Sequence, residues 1–150
     1  MEKSTKEERI QVQMEGSRFL KVTGILMIIF ASIAIIVSIF AIAGIGLLAA
    51  GEEPIGRFII TTAAAVIGAV AEFITGILGV KNWDRLNKAN VCIGWGITVI
   101  ALSLIADALV FIFFPERFQI ASIAIGLIIP ILYLLGGFQN KKLAKKNQTI

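Results

Sequence analysis

The stretch from Val22 to Ala50 reads VTGILMIIFASIAIIVSIFAIAGIGLLAA and contains no charged residue. An α-helix rises about 1.5 Å per residue, so roughly 20 apolar residues are enough to cross the ~30 Å hydrocarbon core of a bilayer. The stretch exceeds that length, and it is far longer than the ~7–15-residue apolar core of a signal peptide. It therefore predicts a helix that is retained as a membrane span.

The rest of the chain contains three more apolar runs, separated by short polar segments. The second run is interrupted only by Glu72 and the third only by Asp107. Runs this long and this uniformly apolar predict helices, not the ~10-residue alternating strands of a membrane β-barrel. Short connections make consecutive helices antiparallel, so we expect an all-α, integral membrane four-helix bundle of up-down-up-down topology in a single domain. The expected bounds are a cytoplasmic N-terminal segment (1–21), spans over about 22–50, 58–80, 91–114 and 118–138, and a cytoplasmic tail (139–150).

The composition agrees with a membrane protein and argues against several other classes. Of the 150 residues, 57% are hydrophobic and 16% are charged, whereas a typical soluble domain has about 25% charged residues. The chain has no histidine and a single cysteine, so we expect no metal site, no internal disulfide and no cofactor. It offers no nucleophile–base pair and no large loop, so we do not expect an enzyme. Its basic residues lie between apolar runs and form no single face, so we expect no nucleic-acid partner.

The distribution of Lys and Arg predicts the orientation in the membrane. Twelve of them lie in the N-terminal segment, in the loop after the second span and in the C-terminal tail. Only Arg57 and Arg117 lie in the other two connections. Because basic residues accumulate in cytoplasmic loops, both termini are expected on the cytoplasmic side of the cell (plasma) membrane.

The ends of the second and fourth spans resemble each other at a constant offset of 57 residues. One explanation is a parallel duplication of a helical hairpin. The other is that any helix leaving lipid on the cytoplasmic side tends to end with Gly followed by Lys or Arg. The matching positions are Ile74, Leu78, Gly79, Leu86, Lys88 and Asn90 with Ile131, Leu135, Gly136, Leu143, Lys145 and Asn147.

Glu72 and Asp107 are the strongest candidates for functional residues. Placing an ionisable group in the bilayer costs about 2.5–3.5 kcal/mol, and such a group usually has a function. No Lys or Arg lies within a span, so each carboxyl is expected to be protonated, hydrated or hydrogen-bonded to a neighbour. At 1.5 Å per residue, Glu72 lies ~12 Å from the inner boundary and Asp107 ~10 Å from the outer one. This predicts two stations along a path, not one shared ion. From depth alone, Ser122 is a candidate neighbour of Asp107, and Tyr133 is a candidate neighbour of Glu72.

Glu72 also lies on a face of small residues, in which Ala64, Gly68 and Gly76 follow at four-residue spacing. Such faces allow close approach of helices, so these three residues are predicted to serve helix packing. Glu72 is then either a hydrogen-bonding clamp in the bundle or at an oligomer contact, or it is a proton or cation site.

Three segments resemble small uncharacterised four-span membrane proteins of Gram-positive bacteria. They are GVKNW at 79–83, KANVC at 88–92, and LLGG at 134–137 followed by lysines. The resemblance implies the four-span topology and carries no activity. Small multidrug transporters are similar in size and span count, but their essential carboxyl lies in the first span, which is uncharged here.

Two classes of function remain. In the first, which we favour, the chain is a structural or regulatory membrane subunit that acts through helix–helix contacts, as a homo-oligomer or with a partner membrane protein. In the second, it is a proton- or cation-handling channel or transporter that uses the intramembrane carboxyls. The lipid bilayer is a partner in both.

Overall fold

A computed structural model describes residues 2–48, 55–117 and 119–148 of the chain, with side chains over 18–44, 55–116 and 119–145. Within these ranges the chain forms four long helices and no strand, which confirms the predicted all-α four-helix bundle. The helices are α1 (Glu2–Leu48), α2 (Ile55–Asn82), α3 (Ala89–Phe113) and α4 (Ile120–Gln148). One-turn 3-10 helices at Leu86–Lys88 and Pro115–Arg117 precede α3 and α4.

Each helix contains a segment that is long and apolar enough to cross a membrane. Large apolar side chains cover the outside of the bundle, and Phe40 and Ile112 are 73% and 66% exposed. A soluble monomer rarely exposes an apolar surface of this extent, because water disfavours it. The chain is therefore a multi-pass membrane protein. The four segments are Arg18–Gly44, Ile55–Asn82, Leu86–Phe113 and Ile120–Lys145.

Two of the helices continue well beyond their apolar runs. The 47 residues of α1 measure about 70 Å, more than twice the thickness of the hydrocarbon core. The charged N-terminal segment is thus helical and continuous with the first span. α4 likewise continues through the lysines that follow Gly137. A helix satisfies its own backbone hydrogen bonds, so nothing forces it to end where the lipid ends.

The helices form a ring in which each packs against two neighbours. α1 contacts α2 and α4, and α3 contacts the same two helices. We call the half of the bundle that holds the α2–α3 connection and the C-terminal end of α4 the basic half, because its polar residues include Lys81, Arg85, Lys141 and Lys142. The opposite half holds the connection between α3 and α4.

The basic half is packed to backbone contact. A Cβ atom on Gly76 of α2 would lie 2.7 Å from the carbonyl oxygen of Gly24 of α1, so only glycine allows the two helices to cross here. Large side chains of the core fill the remaining space. Leu20, Cys92 and Tyr133 are all fully buried there.

Polar contacts around Trp83 join three elements at the basic end. The side-chain amide nitrogen of Asn140 in α4 donates a hydrogen bond to the Trp83 carbonyl oxygen at 3.1 Å. The ammonium group of Lys21 in α1 lies 4.7 Å from the centroid of the Trp83 ring, within the range of a cation–π interaction. These contacts hold the α2–α3 connection against α1 and α4.

Candidate functional site

Glu72 of α2 and Asp107 of α3 line the same cavity, which has a volume of about 220 Å³ and lies in the opposite half of the bundle. Residues from all four helices form its wall. Most of the others are small, and they include Ala34 of α1, Ala65 and Gly68 of α2, Ser103 of α3, and Ser122 and Gly126 of α4.

The cavity exists because small residues from four helices face one another in the same part of the bundle. A Cβ atom added to Gly68 or Gly126 would meet nothing within 4 Å, so the helices stand apart at these positions. Larger side chains on the same faces would have filled the space, as they do in the basic half. The sequence therefore leaves a void that is walled by small residues and four polar side chains, at a depth where lipid-facing positions are Ile, Val and Phe.

The polar groups on the wall are the two carboxyls and the hydroxyls of Ser103 and Ser122. Glu72 and Asp107 are both partly buried. Among the residues that the structure describes, neither carboxyl takes part in a hydrogen bond or a salt bridge. Both are therefore available to a ligand or to water in the cavity.

The two carboxyls occupy different levels of this one cavity. Glu72 lies ten residues before Asn82, the last residue of α2, and Asp107 lies 18 residues after Ala89, the first residue of α3. The difference corresponds to about 12 Å along the bundle. Glu72 is the carboxyl nearer the basic half. The structure thus places the two predicted stations on the wall of a single space.

A layer of fully buried residues lies between the cavity and the basic half. Met27, Thr75, Val99 and Pro130, one from each helix, lie three to seven residues nearer the basic end than the closest wall residue of their helix, and each is less than 2% exposed. We call these four residues the closed layer. The hydroxyl of Thr75 donates a hydrogen bond to the Ala71 carbonyl oxygen of its own helix at 2.7 Å. The cavity therefore lies entirely on the far side of this layer from the basic end.

The small-residue face of α2 divides into two parts. Gly76 is in backbone contact with α1, whereas Gly68 lines the cavity and Ala64 is only partly buried. Close helix approach is therefore found at one end of the face, and the other end forms the cavity wall. Ser122 shares the cavity with Asp107, in line with its depth.

Tyr133 is not on the cavity wall. Its ring lies on the basic side of the closed layer, where a Cβ atom on Gly79 or Gly96 would come within 2.5 Å or 3.1 Å of it. Depth alone suggested Glu72 as its neighbour, but the ring of Tyr133 fills the space that these two glycines leave.

Sequence reasoning missed seven of the eleven wall residues. Ser103 lies one turn before Asp107 on the same face of α3, and this four-residue spacing of two polar residues in an apolar run was a usable signal. The other six carry no such signal, because they are small or apolar residues within apolar runs: Ala34, Ala65, Ala69, Ala106, Gly126 and Leu127.

Comparison of the chain with protein-family models, with curated proteins and with solved structures finds no match.

Proposed function

We propose that this membrane protein binds protons or small cations in the cavity that Glu72 and Asp107 share, as part of a channel or transporter. The observation that carries the proposal is that two carboxyls, each costly at membrane depth, line one space built from four helices. Packing alone needs neither carboxyl, because the surrounding wall is made of small residues that could close on one another.

The size and chemistry of the cavity fit this assignment. A volume of about 220 Å³ accommodates several water molecules, each of which takes ~30 Å³ in the liquid. Carboxylate and hydroxyl oxygens are the donors that hard cations prefer, and they also exchange protons with water. A partly hydrated ion or a protonated water chain is thus a suitable occupant.

The orientation belongs to the same proposal. The basic half faces the cytoplasm with both termini, in accord with the positive-inside rule, and the cavity faces the cell exterior. Passage across the membrane then requires that the closed layer opens, either within one chain or through rearrangement of a homo-oligomer. The plasma membrane is the proposed location.

The replacement Glu72→Gln tests the proposal, because it keeps the side-chain shape and removes the ionisable group. In proteoliposomes we expect proton or cation flux to fall by about 100-fold or more, the size typical of removing a positioned proton-transfer group. The variant should still elute from size-exclusion chromatography like the parent. The matched control is Glu116→Gln, which alters an exposed acid in the α3–α4 connection and should leave flux unchanged. Parent-level flux in Glu72→Gln would remove the basis of the proposal.

A second candidate function is a structural or regulatory subunit, and the closed layer favours it, because that layer ends the cavity halfway through the bundle. In this case Glu72 is a hydrogen-bonding clamp toward a neighbouring chain. Light scattering in detergent distinguishes the two functions. A clamp predicts that Glu72→Ala, which removes the hydrogen-bonding group, lowers the mass of the assembly, whereas Glu72→Gln retains it. It also predicts that the parent shows no flux under any ion gradient.

A further inference from the structure

A chain of buried polar groups continues on the basic side of the closed layer. Tyr133 of α4 and Cys92 of α3 are fully buried in one core cluster. The thiol sulfur of Cys92 lies 4.0 Å from the Leu78 carbonyl oxygen, and the side-chain amide of Asn82 donates a hydrogen bond to the same oxygen at 2.9 Å. Asn82 is the last residue of α2, at the basic end. Polar groups thus extend from Tyr133 to the end of the bundle.

The row of buried polar groups also approaches the cavity at its opposite end. Ala71, which precedes Glu72 in the sequence, belongs to the same core cluster as Tyr133. Thr75 contributes a hydroxyl to the closed layer between them, and because this hydroxyl donates within its own helix, its oxygen remains able to accept. Gly79, against which the Tyr133 ring packs, lies seven residues after Glu72 in α2, which is a rise of about 10 Å along the bundle.

The hydroxyl of Tyr133 has no packing explanation. It is completely buried, and the polar group beside it is the Cys92 thiol, a weak hydrogen-bond partner. A buried hydroxyl without a strong partner costs about 1–3 kcal/mol, and phenylalanine would fill the same space without that cost. A second buried oxygen in this half, Oδ1 of Asn140, has no hydrogen-bond partner among the described residues. Groups of this kind commonly bind buried water or serve a function.

We propose that Tyr133 is a proton relay between the Glu72 cavity and the basic end, so that the ion handled is the proton; this inference rests on the proposed function. The hydroxyl oxygen accepts a proton from the cavity side and releases its own proton to the Cys92 sulfur. The thiol in turn releases its original proton to buried water that bonds the Asn140 oxygen toward the basic end, so Tyr133 and Cys92 both end the transfer unchanged. The Tyr133 ring fills the space beside Gly79 and Gly96, so the route is made of proton-exchanging groups and not of an open passage for a metal ion.

The test is Tyr133→Phe in the full-length chain, reconstituted in vesicles that contain a pH-sensitive dye. We expect proton flux under an imposed pH gradient to fall about tenfold or more. Labelling of Glu72 by a hydrophobic carbodiimide, which reports the cavity alone, should equal that of the parent. The thermal melting temperature in detergent should equal or exceed that of the parent, because the ring contacts remain. The control Thr98→Val removes an exposed hydroxyl that bonds within its own helix, and it should leave flux unchanged.

A second pair of variants tests the next group in the chain. Cys92→Ser keeps a group that exchanges protons and should retain flux, whereas Cys92→Val removes it and should lower flux. Equal flux in the two variants would overturn the route through Cys92.

The outcomes separate the relay from the proposed function. Parent-level proton flux in Tyr133→Phe, with Glu72→Gln still inactive, overturns the relay and leaves the cavity assignment standing. Sodium or potassium flux that Tyr133→Phe leaves unchanged also overturns the relay and leaves the cavity assignment standing. It identifies a metal cation as the substrate. Absence of proton, sodium and potassium flux in the parent overturns both.

Discussion

Replacing Gly76 by leucine is expected to separate α1 from α2 and to prevent the bundle from assembling. A Cβ atom at this position would lie 2.7 Å from the Gly24 carbonyl oxygen and 3.0 Å from the Ile28 backbone nitrogen. Backbone atoms of a helix cannot move aside as a flexible side chain can, so the helices themselves must shift. Overpacking a core costs typically ~1–3 kcal/mol and occasionally more, and we expect a loss at or above the upper end of that range.

Size-exclusion chromatography and a thermal melt in mild detergent measure this effect. The matched control is Gly68→Leu, two turns away on the same face of α2, where a Cβ atom would meet nothing within 4 Å. It should assemble like the parent, and its larger side chain should reduce the volume of the cavity. Normal assembly of Gly76→Leu, or equal damage from both variants, would show that the α1–α2 crossing is not where the structure places it.

The replacement Tyr133→Ala is expected to be the most destabilising truncation in the core, at about 3–5 kcal/mol, as for other buried aromatic residues. The ring is fully buried and packs against the backbone at Gly79 and Gly96. Glycines have no side chains that can move into the space the ring vacates, so most of the cavity should persist. The loss should therefore lie nearer the upper end of the range.

Reversible unfolding in mixed micelles measures this prediction as a free energy of unfolding. The comparison with Tyr133→Phe is informative, because that variant keeps the ring and should cost nothing or stabilise the fold. Together the two variants separate the packing of the ring from the role of its hydroxyl. Parent-level stability of Tyr133→Ala would mean that the ring does not fill the centre of the basic half.

Hydropathy predicted the four helices, because the cost of exposing backbone in lipid leaves few alternatives for long apolar runs. It predicted their ends less well. The fourth span was expected to end near residue 138, but α4 continues to Gln148. The length of an apolar run matches the thickness of the hydrocarbon core. A helix, however, ends only where its backbone N–H and C=O groups find other hydrogen-bond partners. The orientation and the hairpin duplication stay predictions.

The candidate site was only partly readable from the sequence. The energetic cost of charge in lipid singled out Glu72 and Asp107 one at a time. Counting residues along a span gives the depth of a side chain but not its direction around the helix axis. The sequence therefore did not predict that the two residues line one cavity. Gly68 and Gly76 looked equivalent because their spacing is regular. Helices that cross at an angle are close at one point and diverge from it, and Gly76 lies at that point.

We propose that the bundle lies in a membrane with its basic half in the cytoplasm and its cavity open to the exterior. Single cysteines in a Cys92→Ser background, probed with a membrane-impermeant maleimide, test it most directly. Ser122→Cys on the cavity wall should react in intact cells, whereas Lys142→Cys near the end of α4 should react only after the cells are permeabilised. Labelling of Lys142→Cys in intact cells, together with protection of Ser122→Cys, would contradict the claim.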